Sequence, residues 1–294
     1  MDSEAWLTIV VSAYNTERYV PDCLASIAAV QHEDSGIGAI AVDDGSDDRT
    51  RAFLQTWALE DPARRLVLCH PHNRGLAASR NTGWAACTTP WALWLDSDNV
   101  LSPDTTQLLA QAIASDPSTD LWIVPTGLID ATGRRFGAFY GDHVSWNPIQ
   151  VMQHHPEQLL IGNLFDAMTA TRRSVLPAPP WDEQLWALED WDLWIRLLFH
   201  QQARVGMLPQ ETGGYRIRDG SLSRAFQANN PRYHAAWITV YAKILRDLPH
   251  LPPEARQAVA QQLQQRGAQW VAATMVSSGA ERIESEPHLA VNVK

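Results

Sequence analysis

The chain has 294 residues, of which 45% are hydrophobic, and a formal net charge of −10 at pH 7. Its length and apolar content are sufficient for one large globular domain, or one and a half, with a full hydrophobic core. The acidic balance provides no basic stripe that could displace counterions from a phosphate backbone, so we expect no nucleic-acid partner.

The cysteines and the apolar runs bear on where the chain works. Cys23, Cys69 and Cys87 are odd in number and lack a C-x-x-C spacing, so we expect reduced core thiols in a cytoplasmic protein. The acidic residues 1–4 lead directly into a predicted strand, which is unlike a signal peptide, and no run of 18 apolar residues is present. We therefore expect no transmembrane segment, while peripheral contact with a membrane stays open.

The first third of the chain alternates between predicted strands and helices. Apolar, β-branched runs predict strands at residues 6–12, 37–42, 66–69 and 91–95, and apolar 3–4 spacing predicts helices at residues 19–28, 50–59 and 76–86. This alternation favours a mostly parallel sheet with helices on both faces. Each strand is followed by polar residues, and ligands of such sheets bind at the carboxyl ends of the strands.

Periodicity weakens in the second third. Residues 104–115 predict a helix and residues 121–125 a strand, whereas residues 126–180 are rich in Gly, Pro, His and Trp, which indicates long loops along the far wall of a cleft. Further predictions are a helix within residues 181–200, strands at 203–208 and 214–217, helices at 231–247 and 253–276, and a frayed tail over the last 18 residues.

An apolar run at residues 93–95 stops at two carboxylates, Asp96 and Asp98, one residue apart. A buried strand does not carry charges through its middle, so this strand should end where a cleft opens. A hard divalent cation, Mn²⁺ or Mg²⁺, is held by one or two carboxylates together with substrate phosphates. The alternative for such a short motif is an Asx turn or a helix N-cap before Pro103.

Four further polar blocks accompany this pair in a fixed order. They are Ser12-Ala13-Tyr14-Asn15, Asp43-Asp44-Gly45-Ser46, Asn73-Arg74-Gly75 with Ser79-Arg80-Asn81, and Glu189-Asp190-Trp191-Asp192. With these blocks, residues 6–224 resemble the family 2 glycosyltransferases. The resemblance implies the α/β GT-A fold, which is Rossmann-like with a mostly parallel central sheet and helices on both faces, here followed by a C-terminal helical extension.

The resemblance also implies an activity and a division of the chain. The activity is that of an inverting glycosyltransferase, which moves a sugar from a nucleotide-sugar donor to a sugar, lipid-linked or small-molecule acceptor. The implied parts are a nucleotide-sugar-binding half at residues 1–125, an acceptor-binding and catalytic half at residues 126–224, and C-terminal helices with a tail at residues 225–294. The oligomeric state stays open.

Roles for the donor-side residues follow from the resemblance. Tyr14 and Asp44 would hold the nucleotide base, and a carboxylate acceptor suits the imide N–H of uracil or thymine, which favours UDP- or dTDP-sugars. Asp98 would bind the metal, and Asp96 would contact the metal or the ribose. The other donor-binding candidates are Ser12, Asn15, Asp43, Arg74, Arg80 and Arg218. For Arg74 and Arg80, the alternative to a diphosphate or ribose contact is an ion pair with a neighbouring Asp.

Glu189 and Asp190 are the catalytic candidates. A single carboxylate that deprotonates the acceptor hydroxyl from the face opposite the leaving group gives inversion. Asp190 is our choice for this general base and Glu189 the second choice. Alternatively, both residues only cap the helix that follows, and Trp191 and Trp194 either back the acceptor or belong to the core.

Two histidine positions affect the expected metal site. Many relatives carry a His after the Tyr215-Arg216 pair, where this chain has Arg218. An Arg does not ligate a metal but does clamp a phosphate, so strict metal dependence stays open. The adjacent His154 and His155 form a poor metal site, and we interpret them as part of a loop.

Two other functions would suit the same fold. The chain could be a GT-A module that binds a nucleotide-sugar without catalysis, although both Asp98 and Asp190 are present. It could also be a sugar nucleotidyltransferase, but such enzymes carry a Gly-rich phosphate loop after the first strand, and residues 12–20 contain no glycine.

Overall fold

The computed structural model describes residues 5–138, 148–218 and 230–284. The chain divides into two compact units, Met1–Asp219 and Gly220–Lys294. The functional division at residues 125 and 224 stays a prediction.

The described elements of the first unit alternate as expected over its first half. The strands are β1 (Leu7–Ala13), β2 (Ile37–Asp43), β3 (Arg65–Cys69), β4 (Trp91–Asp96), β5 (Val100–Leu101), β6 (Leu121–Ile123), β7 (Gly127–Ile129), β8 (Arg135–Ala138), β9 (Thr169–Arg172), β10 (Val205–Met207) and β11 (Gly213–Arg216). The helices are α1 (Val20–Glu33), α2 (Thr50–Glu60), α3 (Leu76–Ala86), α4 (Thr105–Ser115), α5 (Pro148–His154) and α6 (Glu189–Ile195).

The described strands form two sheets. A seven-stranded central sheet has the order β10-β6-β9-β4-β1-β2-β3, and a four-stranded sheet has the order β5-β11-β7-β8. In the central sheet β1 to β4 are mutually parallel, with Ser12 opposite Asp96 and Ala13 opposite Asp43. The predicted α/β GT-A fold with a largely parallel central sheet is confirmed, and the polar strand ends meet at one edge.

Residues 126–180 contain more structure than the predicted loops. Strand β9 lies inside the central sheet, antiparallel to both β4 and β6, and its Thr169 and Thr171 are fully buried. The sequence Thr-Ala-Thr-Arg is too short to show a strand period, and its place is decided by its partners. Trp94, for example, donates its indole N–H to the Thr171 hydroxyl at 3.4 Å.

Helix α3 lies close to the central sheet because it presents small residues to it. Ala77 and Ala78 are buried, and a Cβ atom at Gly83 would overlap Cγ1 of Val10 on β1. Arg80 lies one turn before Gly83 on the same helix. The approach allowed by Gly83 therefore also sets the depth at which the Arg80 guanidinium is held.

The cysteines are only partly as expected. All three are free; Cys23 and Cys87 are buried, whereas Cys69 is exposed. The expectation of a core thiol was wrong for Cys69, because β3 is an edge strand of the central sheet and its side chains are at most partly covered.

The described part of the second unit consists of α7 (Pro231–Asp247) and α8 (Pro253–Glu284). The Asn230 side chain caps α7 by accepting the Arg232 amide at 3.0 Å. The two helices pack together, and the Arg266 guanidinium of α8 lies over the Trp237 ring of α7. The predicted tail from residue 277 was wrong in its first eight residues, since α8 continues to Glu284.

None of the helices within the described residues is long and apolar enough to cross a membrane.

Candidate active site

The ends of β1 and β2 are tied together by hydrogen bonds between their loops. Asn15, which has a φ of 50°, accepts the Asp47 amide at 3.1 Å, and its own amide donates to the Ser46 hydroxyl at 3.1 Å. Tyr14 beside it is 45% exposed. The Ser12 hydroxyl is buried and has no hydrogen-bond partner within the described residues. Tyr14 and Ser12 therefore keep groups for a ligand, whereas Asn15 holds the loops.

Asp43 has a structural environment. Its carboxylate is fully buried and accepts Arg51 Nε at 2.8 Å and the Ser46 amide at 3.4 Å. Arg51 also donates to the His70 carbonyl at 3.1 Å, which links α2 to the end of β3. These contacts indicate that Asp43 stabilises the loop after β2. Its geometry therefore gives no support to the expected contact of Asp43 with the nucleotide-sugar.

Asp44 organises the next loop. Its Oδ1 accepts His70 Nδ1 at 2.6 Å and the Arg74 amide at 2.9 Å, and its Oδ2 accepts the Gly75 amide at 2.8 Å. With the ring proton assigned to Nδ1, His70 Nε2 accepts the Thr82 hydroxyl at 2.9 Å. A carboxylate has about four acceptor positions. One position of Asp44 therefore remains for a donor N–H of a ligand.

Arg74 and Arg80 differ sharply in exposure. Arg74 forms an ion pair with Glu183 at 3.3 Å in which both side chains are 43% exposed, so it is free to exchange partners. Arg80 is buried, donates to Asp96 Oδ1 at 2.9 Å and to Glu189 Oε1 at 2.6 Å, and lies over the Trp181 ring. Because its guanidinium is committed to two carboxylates, the geometry gives no support to the expected diphosphate contact of Arg80, which stays a prediction. The alternative of an ion pair is what the structure shows.

Asp98 faces a cluster of cations at the end of β4. Its Oδ2 accepts Arg218 Nε at 2.7 Å, and its carbonyl accepts Arg216 Nε at 2.7 Å. Both guanidinium groups lie over the Tyr19 ring. Burial raises the pKa of the Asp98 carboxyl, and the charge of Asp96 adds to this shift while Arg218 opposes it.

The carboxylates of Asp96 and Asp98 suit a hard cation only in part. Asp96 Oδ2 and Asp98 Oδ1 each accept no hydrogen bond from another described residue, so one oxygen per carboxylate is available. Within the described residues, no group of three or more His, Cys, Asp or Glu side chains is placed to hold a metal. A Mn²⁺ or Mg²⁺ ion here would therefore draw further oxygen ligands from a bound phosphate or water, which these ions accept readily.

The catalytic candidates begin helix α6. Leu188 before them has a φ of 65°, and both carboxyl groups follow this left-handed residue. Asp190 Oδ1 accepts the Trp191 amide at 2.7 Å, and its Oδ2 accepts Asn163 Nδ2 at 3.0 Å. Burial raises the pKa of Glu189 and of Asp190, and the Arg80 charge opposes both shifts. A carboxyl with a raised pKa is a stronger base once it is ionised, as a general base requires.

Comparison with known proteins identifies the family. The model of the Glycosyl transferase family 2 matches residues 8–177, which is more than half of the chain. The chain belongs to glycosyl transferase family 2.

Curated family 2 relatives match only part of their own length. The EpsH protein of Bacillus subtilis (strain 168) is 32% identical over 117 residues, which are 40% of this chain and 32% of EpsH. An uncharacterized glycosyltransferase of Haemophilus influenzae is 27% identical over 195 residues, 65% of this chain and 62% of that protein. The chain thus spans about a third of the length of EpsH.

Solved structures share the fold at low identity. TarS residues 1–349 of S. aureus in complex with UDP-GlcNAc has a TM-score of 0.65 and 16% identity, covering 91% of this chain and 79% of that one. The mannosyltransferase PcManGT from Pyrobaculum calidifontis, in complex with GDP-Man and Mn²⁺, has a TM-score of 0.63 and 17% identity, covering 97% and 82%. At these identities the likeness shows the fold alone.

Several residues of this family 2 site escaped the sequence analysis. Asp166 accepts the Met168 amide at 2.9 Å, and burial raises its pKa to about 7. Asn163, Asp166 and His70 lie outside the quoted motifs, and the first two fall in the segment without periodicity. These residues are recognised only as polar side chains in a buried environment. The sequence around them has no hydrophobic pattern that would predict this burial.

The structure also decides whether Trp191 and Trp194 belong to the core and where His154 and His155 lie. Trp191 and Trp194 are fully buried, and Trp194 stacks on Phe165 at 5.2 Å between ring centroids, so both belong to the core. His154 ends helix α5 rather than lying in a loop, and His155 follows it; both are exposed. His155 Nδ1 lies 3.3 Å from Glu157 Oε1.

Proposed function

We propose that this chain is an inverting glycosyltransferase that moves a sugar from a nucleoside diphosphate sugar to an acceptor hydroxyl, with Asp190 as the general base. The observation that carries the proposal is the position of Arg80. One buried guanidinium joins Asp96, at the donor edge, to Glu189, beside Asp190. The carboxylates expected at the leaving group and at the attacking hydroxyl are thereby held at a fixed separation, as a displacement reaction requires.

Asp190 suits the role of the base better than Glu189. Glu189 is buried and its Oε1 is bound to Arg80 at 2.6 Å, so its carboxylate is less accessible to an acceptor hydroxyl. Asp190 accepts hydrogen bonds from neutral N–H groups of Trp191 and Asn163. It therefore keeps lone pairs for the acceptor hydroxyl. On deprotonation that oxygen attacks the anomeric carbon, the bond to the diphosphate breaks, and the configuration inverts.

For the donor we propose a UDP- or dTDP-sugar. The exposed Tyr14 ring offers a packing surface for the base, and the remaining acceptor position of Asp44 suits an imide N–H. The Ser12 hydroxyl, without a partner in the described residues, would contact the base or ribose. The structure of PcManGT contains GDP-Man and that of TarS UDP-GlcNAc, so GDP-sugars belong among the donors to be tested.

For the diphosphate we propose a mixed environment. Asp98 and Asp96 would hold Mn²⁺ or Mg²⁺ through their available oxygens, and such an ion neutralises charge on the departing diphosphate. Arg74 and Arg218 would contact the same diphosphate, because their present partners, Glu183 and Asp98, are partly exposed and exchangeable.

The test is release of nucleoside diphosphate from a panel of UDP-, dTDP- and GDP-sugars, with and without Mn²⁺ or Mg²⁺. We expect slow hydrolysis of one donor in the absence of an acceptor, which Asp190→Asn and Asp98→Asn abolish. Asp116→Asn is the matched control, since Asp116 is a half-buried residue just after α4 that is bound to Ser118 and Thr119. Binding without turnover would support a non-catalytic module, and formation of pyrophosphate would support a nucleotidyltransferase; either result contradicts the proposal.

A further inference from the structure

Asn163 contacts the proposed base from a segment that carries no family motif. It follows the 3-10 turn Pro156–Leu160 and precedes β9. Its Nδ2 donates to Asp190 Oδ2 at 3.0 Å, while the Trp191 amide donates to Asp190 Oδ1 at 2.7 Å. One donor on each oxygen fixes the plane of the carboxylate, which a single donor would leave free to rotate.

The segment that carries Asn163 is anchored to the helix of the base. Trp191 Nε1 donates to the Leu159 carbonyl at 2.6 Å, and the side chains of Leu159 and Leu160 are buried. The backbone before Asn163 is therefore attached to α6 independently of the amide. The Asn163 side chain is not needed to keep this segment against the helix, which separates its effect on Asp190 from a general structural effect.

The charges around Asp190 make a neutral donor important. Arg80 on α3 favours the ionised carboxylate, whereas Asp166, before β9, and the neighbouring Glu189 disfavour it. Burial raises the pKa of Asp190, and the hydrogen bonds from Trp191 and Asn163 lower it. The base thus lies between one cation and two acids, and its N–H donors add to the effect of Arg80 in favouring the ionised carboxylate.

We propose that Asn163 is a positioning residue, whose amide N–H orients the Asp190 carboxylate and supports its ionised form during proton abstraction. This inference rests on the proposed function, because it assumes that Asp190 is the base. Asn163 does not itself contact donor-edge residues among its described hydrogen bonds. Its loss should therefore act on the chemical step rather than on donor binding.

The test is the pH dependence of kcat and KM for nucleoside diphosphate release in wild type, Asn163→Ala and Asn163→Asp. Loss of one hydrogen bond to an ionised group should move the acid limb of kcat upward by about one pH unit, so that kcat falls about tenfold below the midpoint and recovers at high pH. KM for the donor should stay unchanged. Asn163→Asp, which adds a third acid, should move the limb further.

Gln31→Ala is the matched control, because it removes a buried side-chain amide that donates to the Ile37 carbonyl at 3.1 Å and leaves both donors on the Asp190 carboxylate in place. It should lower the thermal midpoint of unfolding without moving the acid limb. A limb that stays within about 0.3 pH unit of wild type in Asn163→Ala, or that moves as far in Gln31→Ala as in Asn163→Ala, overturns the inference, because the expected shift is about one pH unit. Should Asn163→Ala not fold, Asn163→Leu, which keeps a similar side-chain volume without the N–H donor or a new charge, decides the question. Absence of turnover in wild type would overturn the proposed function instead.

Discussion

The carboxylates at the end of β2 and those near helix α6 differ in their hydrogen bonding and in the role that they can serve. At the end of β2, Asp44 accepts three hydrogen bonds and Asp43 is bound to Arg51, so both carboxylates hold neighbouring loops in place. On the side of α6, burial raises the pKa values of Asp166, Glu189 and Asp190 towards neutrality. The acidic residues at the end of β2 thus serve as hydrogen-bond acceptors, whereas those near α6 have pKa values that allow them to exchange a proton.

This difference separates carboxylates that stabilise the loops from carboxylates that are suited to proton transfer. A carboxylate saturated by N–H donors stabilises backbone geometry but is a poor base, whereas a buried carboxylate with few donors is costly to ionise and reactive once ionised. Arg80 connects the two regions, since it is bound to Asp96 on one side and to Glu189 on the other. Substitutions near α6 should therefore lower turnover, whereas substitutions of the residues that hold the loops or of Arg80 should lower stability.

The largest expected effect is that of Asp190→Asn on turnover. Removal of the general base should lower kcat by about a thousandfold, while the dissociation constant of the donor measured by calorimetry stays close to wild type. Glu189→Gln should lower kcat less, because Glu189 is engaged by Arg80. A greater loss in Glu189→Gln than in Asp190→Asn would reverse the two assignments.

Replacement of the connecting arginine should act on stability. Arg80→Met leaves Asp96 and Glu189 without their cation, and breaking a buried ion pair in this way costs about 3–5 kcal/mol in the free energy of unfolding. Arg74→Met is the matched control, since its exposed pair with Glu183 should contribute less than about 1 kcal/mol. Urea denaturation of both variants measures the contrast, and similar losses would contradict it.

A proton held by Asp166 should appear in the pH dependence of stability. Burial raises the pKa of Asp166 to about 7 in the folded chain, whereas the pKa of an Asp in an unfolded chain is about 3.9. The folded state binds more protons between these values, so the contribution of Asp166 to stability is lost as the pH rises from 4 to 7. Asp166→Asn does not titrate, and its stability relative to wild type should rise by about 3 kcal/mol over this range.

Asp116→Asn provides the opposite sign for that experiment. The Ser118 hydroxyl lowers the pKa of Asp116, so this group contributes stability at high pH that is lost as the pH falls. Relative to wild type, Asp116→Asn should therefore become less stable as the pH rises. A difference between Asp166→Asn and wild type that does not change with pH would show that Asp166 stays ionised.

The smallest expected effect concerns Arg218. In Arg218→Ala, Asp98 loses the cation that occupies its Oδ2, so Mn²⁺ should bind more tightly in the absence of donor, by about threefold to fivefold. KM for the donor should rise at the same time, because the proposed contact of Arg218 with the diphosphate would be lost. Arg135→Ala, which removes an exposed pair with Glu211, is the control. Unchanged Mn²⁺ affinity, measured by electron paramagnetic resonance, would show that Arg218 does not compete with the metal.

Prediction from the sequence was most successful where the chain repeats a strand and a helix. The parallel order of β1 to β4 follows from this repetition, and it places the residues after each strand at one edge without any knowledge of packing. The roles assigned to Tyr14, Ser12 and the other donor residues stay predictions, since they depend on a ligand.

Partners that are distant in sequence could not be predicted. Arg80 and Glu189 are separated by 109 positions, and no spacing rule relates them. Strand β9 and the Asn163 contact belong to a segment whose short elements are stabilised by tertiary packing rather than by local preference. The sequence therefore predicted which residue types gather at the site but not which of them neutralise one another.

The contact of Gly83 with Val10 makes two distant positions share one volume. An Ala at position 83 would push α3 away from β1 and carry Arg80 outward, unless position 10 became smaller at the same time. Among relatives, the two positions should therefore covary in size. Pairs that keep the summed side-chain volume should keep Arg80 at its present depth, so covariation of positions 10 and 83 would reflect selection on the position of Arg80.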